Sequence, residues 1–487
     1  MKENKQQFLD INGDTTLVPF NKKIVIYVTL AVLAVIFGSV LPLDMYGPKA
    51  GLALGFFVSI VILFLSQCFA IEVIGMVLVA GGFFLGFWDW NQFQAASGAS
   101  SFLQMLCMMI IAAGANTTPI GKRLALWILT KVGNKPIRLV FGFSIATALI
   151  SSFISNVATL VLMSSIANSM LLTMGEKPGK SKLGRTLLLI IPAASYLGGI
   201  GLINGSPGSN VAGLAYLSSF TNGEFIPTFR QFAIIMYPTM ILLLIPFTLV
   251  YIKGSTLKNS DVQQDLPNDY FDKLYKKLGP MEGSEKRWLI LVISMVVWLL
   301  AGGHGTAVPL TIAAICLMPI VGTTPAKNVW GSIPMSIIFL MFMVAPMGQL
   351  WGATGLIDAV KDLIGPLFNN LSPLVLSILF IFICMILTNI LINAGGAVAL
   401  PVFISIGVAI CAEKGINPGV ILLPMIVSTS MVWFVVLNAN SYLNFGYGWY
   451  EVKDAYIPGG LALILVSIVI PIMTFLLAPL AGFSIYI

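Results

Sequence analysis

Charge is what this 487-residue sequence has least of. Asp, Glu, Lys and Arg make up 9% of it, against about 25% in a soluble domain. A chain so poor in charge cannot cover a water-facing surface. Histidine is reduced to one residue, His304 in AGGHGT, read as a solvated loop residue at a helix end. The five cysteines (Cys68, Cys107, Cys316, Cys384, Cys411) fall singly inside apolar runs. That pattern has no metal-ligand spacing and speaks against structural disulfides. The N-terminal stretch MKENKQQFLDINGDTTLVPFNKK lacks the short apolar core of a cleavable signal peptide and is expected to be a cytosolic tail, residues 1–23. A membrane-embedded enzyme would need a nucleophile–base pair or metal ligands at matching depth, and one histidine without paired acids supplies neither. The chain is therefore not expected to be an enzyme.

What is present is apolar. Hydrophobic residues make up 58% of the chain and the mean hydropathy is +0.96. Runs of the roughly 20 residues that span a bilayer recur from end to end. Long unbroken runs exclude the alternating strands of a β-barrel. The expected fold class is an all-α polytopic membrane protein with about eleven transmembrane helices. Full crossings are expected near 24–43, 50–68, 71–90, 100–118, 185–216, 229–252, 288–304, 307–323, 331–352, 418–448 and 456–481. The regions 137–172 and 373–412 instead hold paired shorter arms with polar centres, expected as two opposed re-entrant hairpins.

The basic residues orient this scheme. With a cytosolic N-terminus and hairpins that return to their starting side, all Lys and Arg except Lys49, Arg230, Lys361 and Lys414 fall in cytosolic loops, 26 − 4 = 22 of 26. This agrees with the positive-inside rule and puts the C-terminus outside. The net charge of +7 is accordingly a topology signal, and no nucleic-acid partner is expected. A cytosolic linker is expected at 253–287, with seven basic and six acidic residues and a short amphipathic helix near 268–278. It divides a first repeat, 24–252, from a second, 288–487.

The two halves resemble each other. FISNVAT (153–159) matches ILINAGG (390–396), with Asn156 and Asn393 offset by 237 residues. TTPIGKR (117–123) lies against TGLIDAV (354–360) at the same offset, and LINGSPGSN (202–210) against VLNANSYLN (436–444) at 234. Five expected crossings lie between the paired regions. An odd number makes the repeats inverted, the pattern of secondary transporters whose broken helices meet at the midplane. A channel has no comparable need for two mirror-related half-sites.

Irregular backbone at membrane depth is tolerated only where it is buried in protein or lines water. SSFISNVATL (151–160) and YLGGIGLINGSPGSN (196–210) are such stretches. Freed carbonyls, serine hydroxyls and an asparagine oxygen are hard ligands for a small cation. The N–H groups opening the next helical arm suit an anion. No Lys or Arg lies in either apex, which favours a cation-coupled carrier of an anion over carriers that bind it with fixed charge.

These motifs resemble the divalent anion:sodium symporter family of the ion transporter superfamily, carriers of dicarboxylates, citrate and sulfate. Its signature is a Ser-Asn-Thr triplet at each hairpin tip, here Ser155-Asn156-Val157 and Ile392-Asn393-Ala394. Its glycine-rich break is similar to GGIGLINGSPGSN, and the second copy to VVLNANSYLN. The resemblance covers nearly the whole chain. It implies a homodimer in the cytoplasmic membrane, built of scaffold and transport domains and working as an elevator that couples a small anionic substrate to Na+. One sodium site would use Ser151, Ser155, Asn156, Gly201 and Asn204; the other, Thr388, Leu391, Asn393 and Asn438. Substrate would meet both triplets together with Ser206, Pro207 and Asn440. Three triplet positions depart from the pattern, as Val157, Ile392 and Ala394. Each hydrogen bond lost to a charged group is worth about 1.5–3 kcal/mol, so the expected substrate has a smaller charge or a more apolar body than succinate, citrate or sulfate. An exchanger or a proton-coupled carrier is the alternative, and it would need a titratable group near the tips.

Overall fold

In a computed structural model, the described residues are 5–9, 15–19 and 22–487, except for 67, 70, 98–99, 155, 207, 222, 263–265, 303–306, 320–321, 324, 326, 328, 330–338, 340–341, 344–345, 357, 360–361, 363–367, 369, 392–394, 432 and 434–443. Within the expected polar tail, strands β1 (Lys5–Leu9) and β2 (Thr15–Pro19) pair antiparallel. The sequence between them holds Asn12-Gly13, a hairpin signal; the named elements that follow are all helices, as the all-α expectation has it.

The first half then runs α1 (Lys22–Val40), α2 (Ala50–Ser66), α3 (Ile71–Leu85), α4 (Trp90–Ser97), α5 (Ser100–Thr117), α6 (Ile120–Leu129), α7 (Pro136–Ser151), α8 (Asn156–Thr173), α9 (Lys182–Gly199), α10 (Asn210–Phe220) and α11 (Phe229–Gly254). After the connecting α12 (Tyr270–Lys276) come α13 (Gly283–Leu300), α14 (Ala307–Leu317), α15 (Met347–Ala353), α16 (Pro373–Leu391), α17 (Gly395–Lys414), α18 (Pro418–Ser428) and α19 (Tyr456–Leu480). Four described segments are long and apolar enough to cross a bilayer: Lys23–Val40, Asn156–Thr173, Phe229–Gly254 and Val452–Leu480. Six further apolar helices are 10–17 residues long. The expected crossing 71–90 ends early, at Leu85, where Gly86 takes a left-handed φ of 66°. The long crossing 185–216 divides into α9 and α10 around the glycine-rich stretch, as its length required.

Matching start signals open matching helices. Pro136 and Pro373 each stand at the head of a hairpin arm, where a missing N–H costs nothing. The Ser181 side chain accepts from Gly184 N at 3.0 Å to cap α9, and Asn417 caps α18 by accepting from Gly419 N at 2.8 Å. Packing repeats too: α7 lies on α9 as α16 lies on α18, and α8 on α9 as α17 on α18. The halves meet where α11 packs on α19 and where α10 packs on α17 and α18. α18 is buried along its whole length, and α9 is buried throughout Thr186–Gly199. Helices apolar all round belong in the centre. Both of these central helices end at a break.

The linker is no loose tether. Leu266 and Phe271 are buried, Phe271 packs edge-on against Phe143 of α7, and the Asn134 amide donates to Leu266 O at 3.2 Å. Arg123, counted above only as a topology signal, is buried. Its guanidinium makes a two-pronged pair with buried Glu285 at 3.0 and 3.1 Å and donates to Gly279 O at 2.9 Å. Burial alone would raise the Glu285 pKa. The hydrogen bonds from Arg123 and from the Glu282 backbone, with the Arg123 charge, outweigh that and hold it below the usual carboxylate range.

Candidate functional site: the paired helix breaks

α7 stops at Ser151 and α8 restarts at Asn156. The short bridge between them lies against the end of α9. The Asn156 amide nitrogen donates to Gly205 O at 3.0 Å, to Ser195 O at 3.2 Å and to Ser151 Oγ at 2.6 Å, and its oxygen accepts from Ser206 Oγ at 3.2 Å. The opposite amide orientation would face the oxygen towards carbonyls, so this one is required. Ser195 Oγ donates to Asn156 O at 2.8 Å, and Ser152 Oγ to Gly198 O at 3.0 Å. Asn210, at the head of α10, donates back to Gly199 O at 2.9 Å and Leu202 O at 3.0 Å. The carbonyls left free by unwinding are thus taken up by side chains. Glycine is required where the amide sits: a Cβ on Gly199 would lie 2.6 Å from the nearest heavy atom of the Asn156 amide.

One acceptor in this polar nest is left over. Asn204 Oδ1 is buried and has no hydrogen-bond partner among the described groups. A buried bare oxygen is costly unless something positive meets it. The α9 carbonyl end, at Gly199, brings the negative pole of that helix here, while the α8 and α10 N-termini bring positive poles. The Gly201 backbone lies beside Ser152 and Tyr237. No carboxylate, histidine or basic side chain is among these partners. Val157, one position on from Asn156, exposes 43% of its surface.

The second break is stitched differently. Thr388 is buried and its hydroxyl donates to Met385 O at 3.1 Å. Asn389, which sequence reading passed over, does the bridging. Its amide donates to Met385 O at 2.8 Å and Met431 O at 3.1 Å, and its oxygen accepts from Trp433 N at 2.9 Å. At the repeat offset of 237, Asn389 corresponds to Ser152, so comparison of the halves could have found it. Leu391 is the last helical residue of α16. Ser155, Pro207, Ile392, Asn393, Ala394, Asn438 and Asn440 lie outside the described residues.

The two breaks meet. Ser430, just past α18, is reached by Ser209 Oγ at 3.3 Å and Ser206 Oγ at 3.5 Å. The repeat-matched Asn210 and Asn444 have parted in role. Asn444 donates to Leu188 O at 2.9 Å, the carbonyl that Pro192, four residues later in α9, cannot satisfy because it has no N–H.

Comparison with known proteins now bears on this geometry. The citrate transporter family profile (CitMHS) matches residues 61–401. The chain is 25% identical over 409 residues to the sodium-dependent high-affinity dicarboxylate transporter 3 of Caenorhabditis elegans, covering 72% of this chain and 70% of that protein. It is likewise 25% identical over 393 residues to the sodium-dependent dicarboxylate transporter SdcS of Staphylococcus saprophyticus, covering 74% of each. Two solved structures share the fold. The Alcanivorax borkumensis YdaH transporter aligns with a TM-score of 0.50 at 14% identity, over 88% of this chain and 98% of that one. Neisseria gonorrhoeae MtrF aligns with a TM-score of 0.55 at 12% identity, over 94% and 96%. The family match spans more than half of the chain, the relatives are transporters rather than enzymes, and the resemblance read from the two break motifs points the same way: this chain is an integral membrane transporter belonging to the citrate transporter family, of the divalent anion:sodium symporter kind.

Proposed function

We propose that this protein is a secondary active transporter that couples Na+ to a small carboxylate of the di- or tricarboxylate class. The observation that carries the reading is the meeting of the two breaks at Ser206, Ser209 and Ser430, beside the unpartnered buried oxygen of Asn204. A hard oxygen with no donor fits a small cation. Ser151, Ser155, Asn156, Asn204 and the Gly201 backbone would hold the first Na+; Thr388, Asn393, Asn438 and the Leu391 backbone would hold the second. Bound sodium supplies positive charge that a carboxylate needs in an apex without Lys or Arg. Asn156 and Asn393, with the residues flanking them and Ser206, Pro207 and Asn440, would face the substrate. The sodium-dependent dicarboxylate transporters among the relatives support both partners.

The two-sided arrangement of loops supports a cytosolic N-terminus, an external C-terminus and inverted repeats with re-entrant hairpins. Ties across the described loops join regions assigned to one face. Arg185 pairs with Asp454 at 3.3 Å and Lys182 with Asp261 at 3.4 Å on the basic face. On the other, Asn417 donates to Ser484 O at 2.8 Å and Lys414 to Leu371 O at 3.0 Å. An elevator in a homodimer is the mode of action that suits hairpins riding with α9 and α18.

Radiolabelled succinate and citrate uptake into proteoliposomes tests the reading. Uptake should follow an imposed Na+ gradient and ignore a proton gradient, and Asn156→Ala should abolish it while the protein stays folded. Uptake indifferent to Na+ would refute the coupling. Unchanged uptake by Asn156→Ala would refute the site. Fast succinate uptake would refute the expectation, drawn from Val157, Ile392 and Ala394, of a less charged substrate.

A further inference from the structure

Away from the breaks, α1 and α3 both pack on α2 and leave a groove between them, floored by α2. α1 and α2 are held close by glycines: a Cβ on Gly38 would lie 2.5 Å from Gly51 O and from the Gly55 Cα. α3 keeps a distance that close packing would otherwise remove. The groove has a volume of about 390 Å³ and is walled by apolar side chains, among them Val32, Phe56, Leu63, Ile74, Val77 and Leu85. Its one hydroxyl, Ser59, donates to Phe56 O at 2.7 Å and offers a ligand nothing. Gly81 keeps the floor open, because a Cβ there would collide with the Phe56 ring at 2.5 Å.

One end of the groove carries a cation. Lys49, at the head of α2, is exposed, and its ammonium donates to Leu85 O at 3.0 Å and Gly86 O at 2.7 Å. An ammonium has three donors, so one N–H and the whole charge remain for a ligand. Among the described residues no carboxylate lies within ion-pair distance of it. Lys49 is also one of the few basic residues off the basic face; it stands beside the N-terminus of α2 and caps the carbonyl end of α3, so the two helix poles act on it in opposite senses. Aromatic residues set its depth. Phe84 is 90% exposed and Trp90 60%, the latter stacked on Phe83, which is the girdle that marks headgroup level.

We propose that this groove binds one glycerophospholipid from the leaflet on the Lys49 side, with an acyl chain along α2 between α1 and α3 and the phosphate on the Lys49 ammonium. The apolar walls exclude a polar solute. The phosphate is what the spare donor and unpaired charge call for.

Native mass spectrometry of the full chain in detergent tests this, with dioleoylphosphatidylglycerol as the probe and dioleoylglycerol and oleate as comparators. The wild type should retain one phosphatidylglycerol. Lys49→Gln should weaken retention about tenfold, roughly one charge-assisted contact, and Lys49→Arg should restore it. Val77→Trp and Val32→Phe, both at half-exposed wall positions, should abolish it, with monodispersity and melting temperature as folding controls. Retention unchanged in Lys49→Gln, or dioleoylglycerol held as tightly as the phospholipid, would overturn the headgroup assignment. Oleate displacing the phospholipid at equal concentration would identify a free fatty acid instead. Groove-filling variants that lose a subunit rather than a lipid would make the groove an interface between copies of this chain, and the proposal would be wrong.

Discussion

The two breaks do one job with different parts. In the first half, Ser152 crosses from the hairpin arm to Gly198 O; in the second, Asn389 crosses to Met431 O and Trp433 N. The difference follows from what each break is made of. Glycines at 198, 199, 201 and 205 let the first break approach closely, so a side chain as short as serine reaches across. At the second break Met431 and Trp433 take the crossing positions, and the longer side chain of asparagine reaches them. Side-chain length at the staple compensates for side-chain bulk in the break. A second asymmetry lies at the approach to the hairpins. Arg123 anchors the first to Glu285 across the linker, whereas its repeat-matched residue is Val360. α6, which leads into α7, is therefore tied to the start of α13 by a contact whose matched position in the second half is not basic.

The sharpest way to break this comparison is at the anchor. Glu285→Ala would leave the Arg123 charge buried and unpaired, and a loss of about 3–5 kcal/mol is expected, read as a fall in melting temperature. The double variant Arg123→Met/Glu285→Leu should recover much of that, because it removes both desolvated charges. Asn389→Ala comes next. It strands the Met431 carbonyl and the Trp433 N–H at a buried break, while Met385 O keeps the Thr388 hydroxyl, for a loss of about 3 kcal/mol, and should impair uptake. Ser152→Ala removes one hydroxyl whose partner keeps a lone pair, for about 1 kcal/mol. If Ser152→Ala proved as costly as Asn389→Ala, the two staples would not be related by bulk and reach as described. The smallest effect is on acid stability. Glu285 binds its proton less tightly folded than unfolded, so its contribution is complete above the ordinary carboxylate range and disappears as pH falls through its lowered pKa. The melting temperature of Arg123→Met, which lacks the main cause of that lowering, should fall less between neutral and acid pH than that of the wild type.

Much of the fold could be read before any coordinates. Apolar length and charge asymmetry are one-dimensional properties, so helices from α1 to α3, α11, α12 and α19 lie close to the ranges expected from them. The glycine-rich break was legible for the same reason: local composition decides whether a helix can continue. The N-terminal strand pair was missed because the polarity of the tail was weighed above its Asn-Gly dipeptide. Asn389 was missed because a single polar residue in an apolar arm looks like any packing residue until its partner is known.

The sequence by itself determined that this chain lies in a membrane and where its first half breaks a helix, between Gly199 and Asn210. Those outcomes follow from hydropathy, charge placement and backbone propensity, which act within a few residues. Only the tertiary structure decided that Ser206 and Ser209 meet Ser430, that Asn444 repairs the carbonyl orphaned by Pro192, and that Asn204 Oδ1 meets no partner among the described residues. Each of those depends on which distant segments share the centre, and hydrogen-bond satisfaction in a buried site is decided by neighbours that no local pattern specifies.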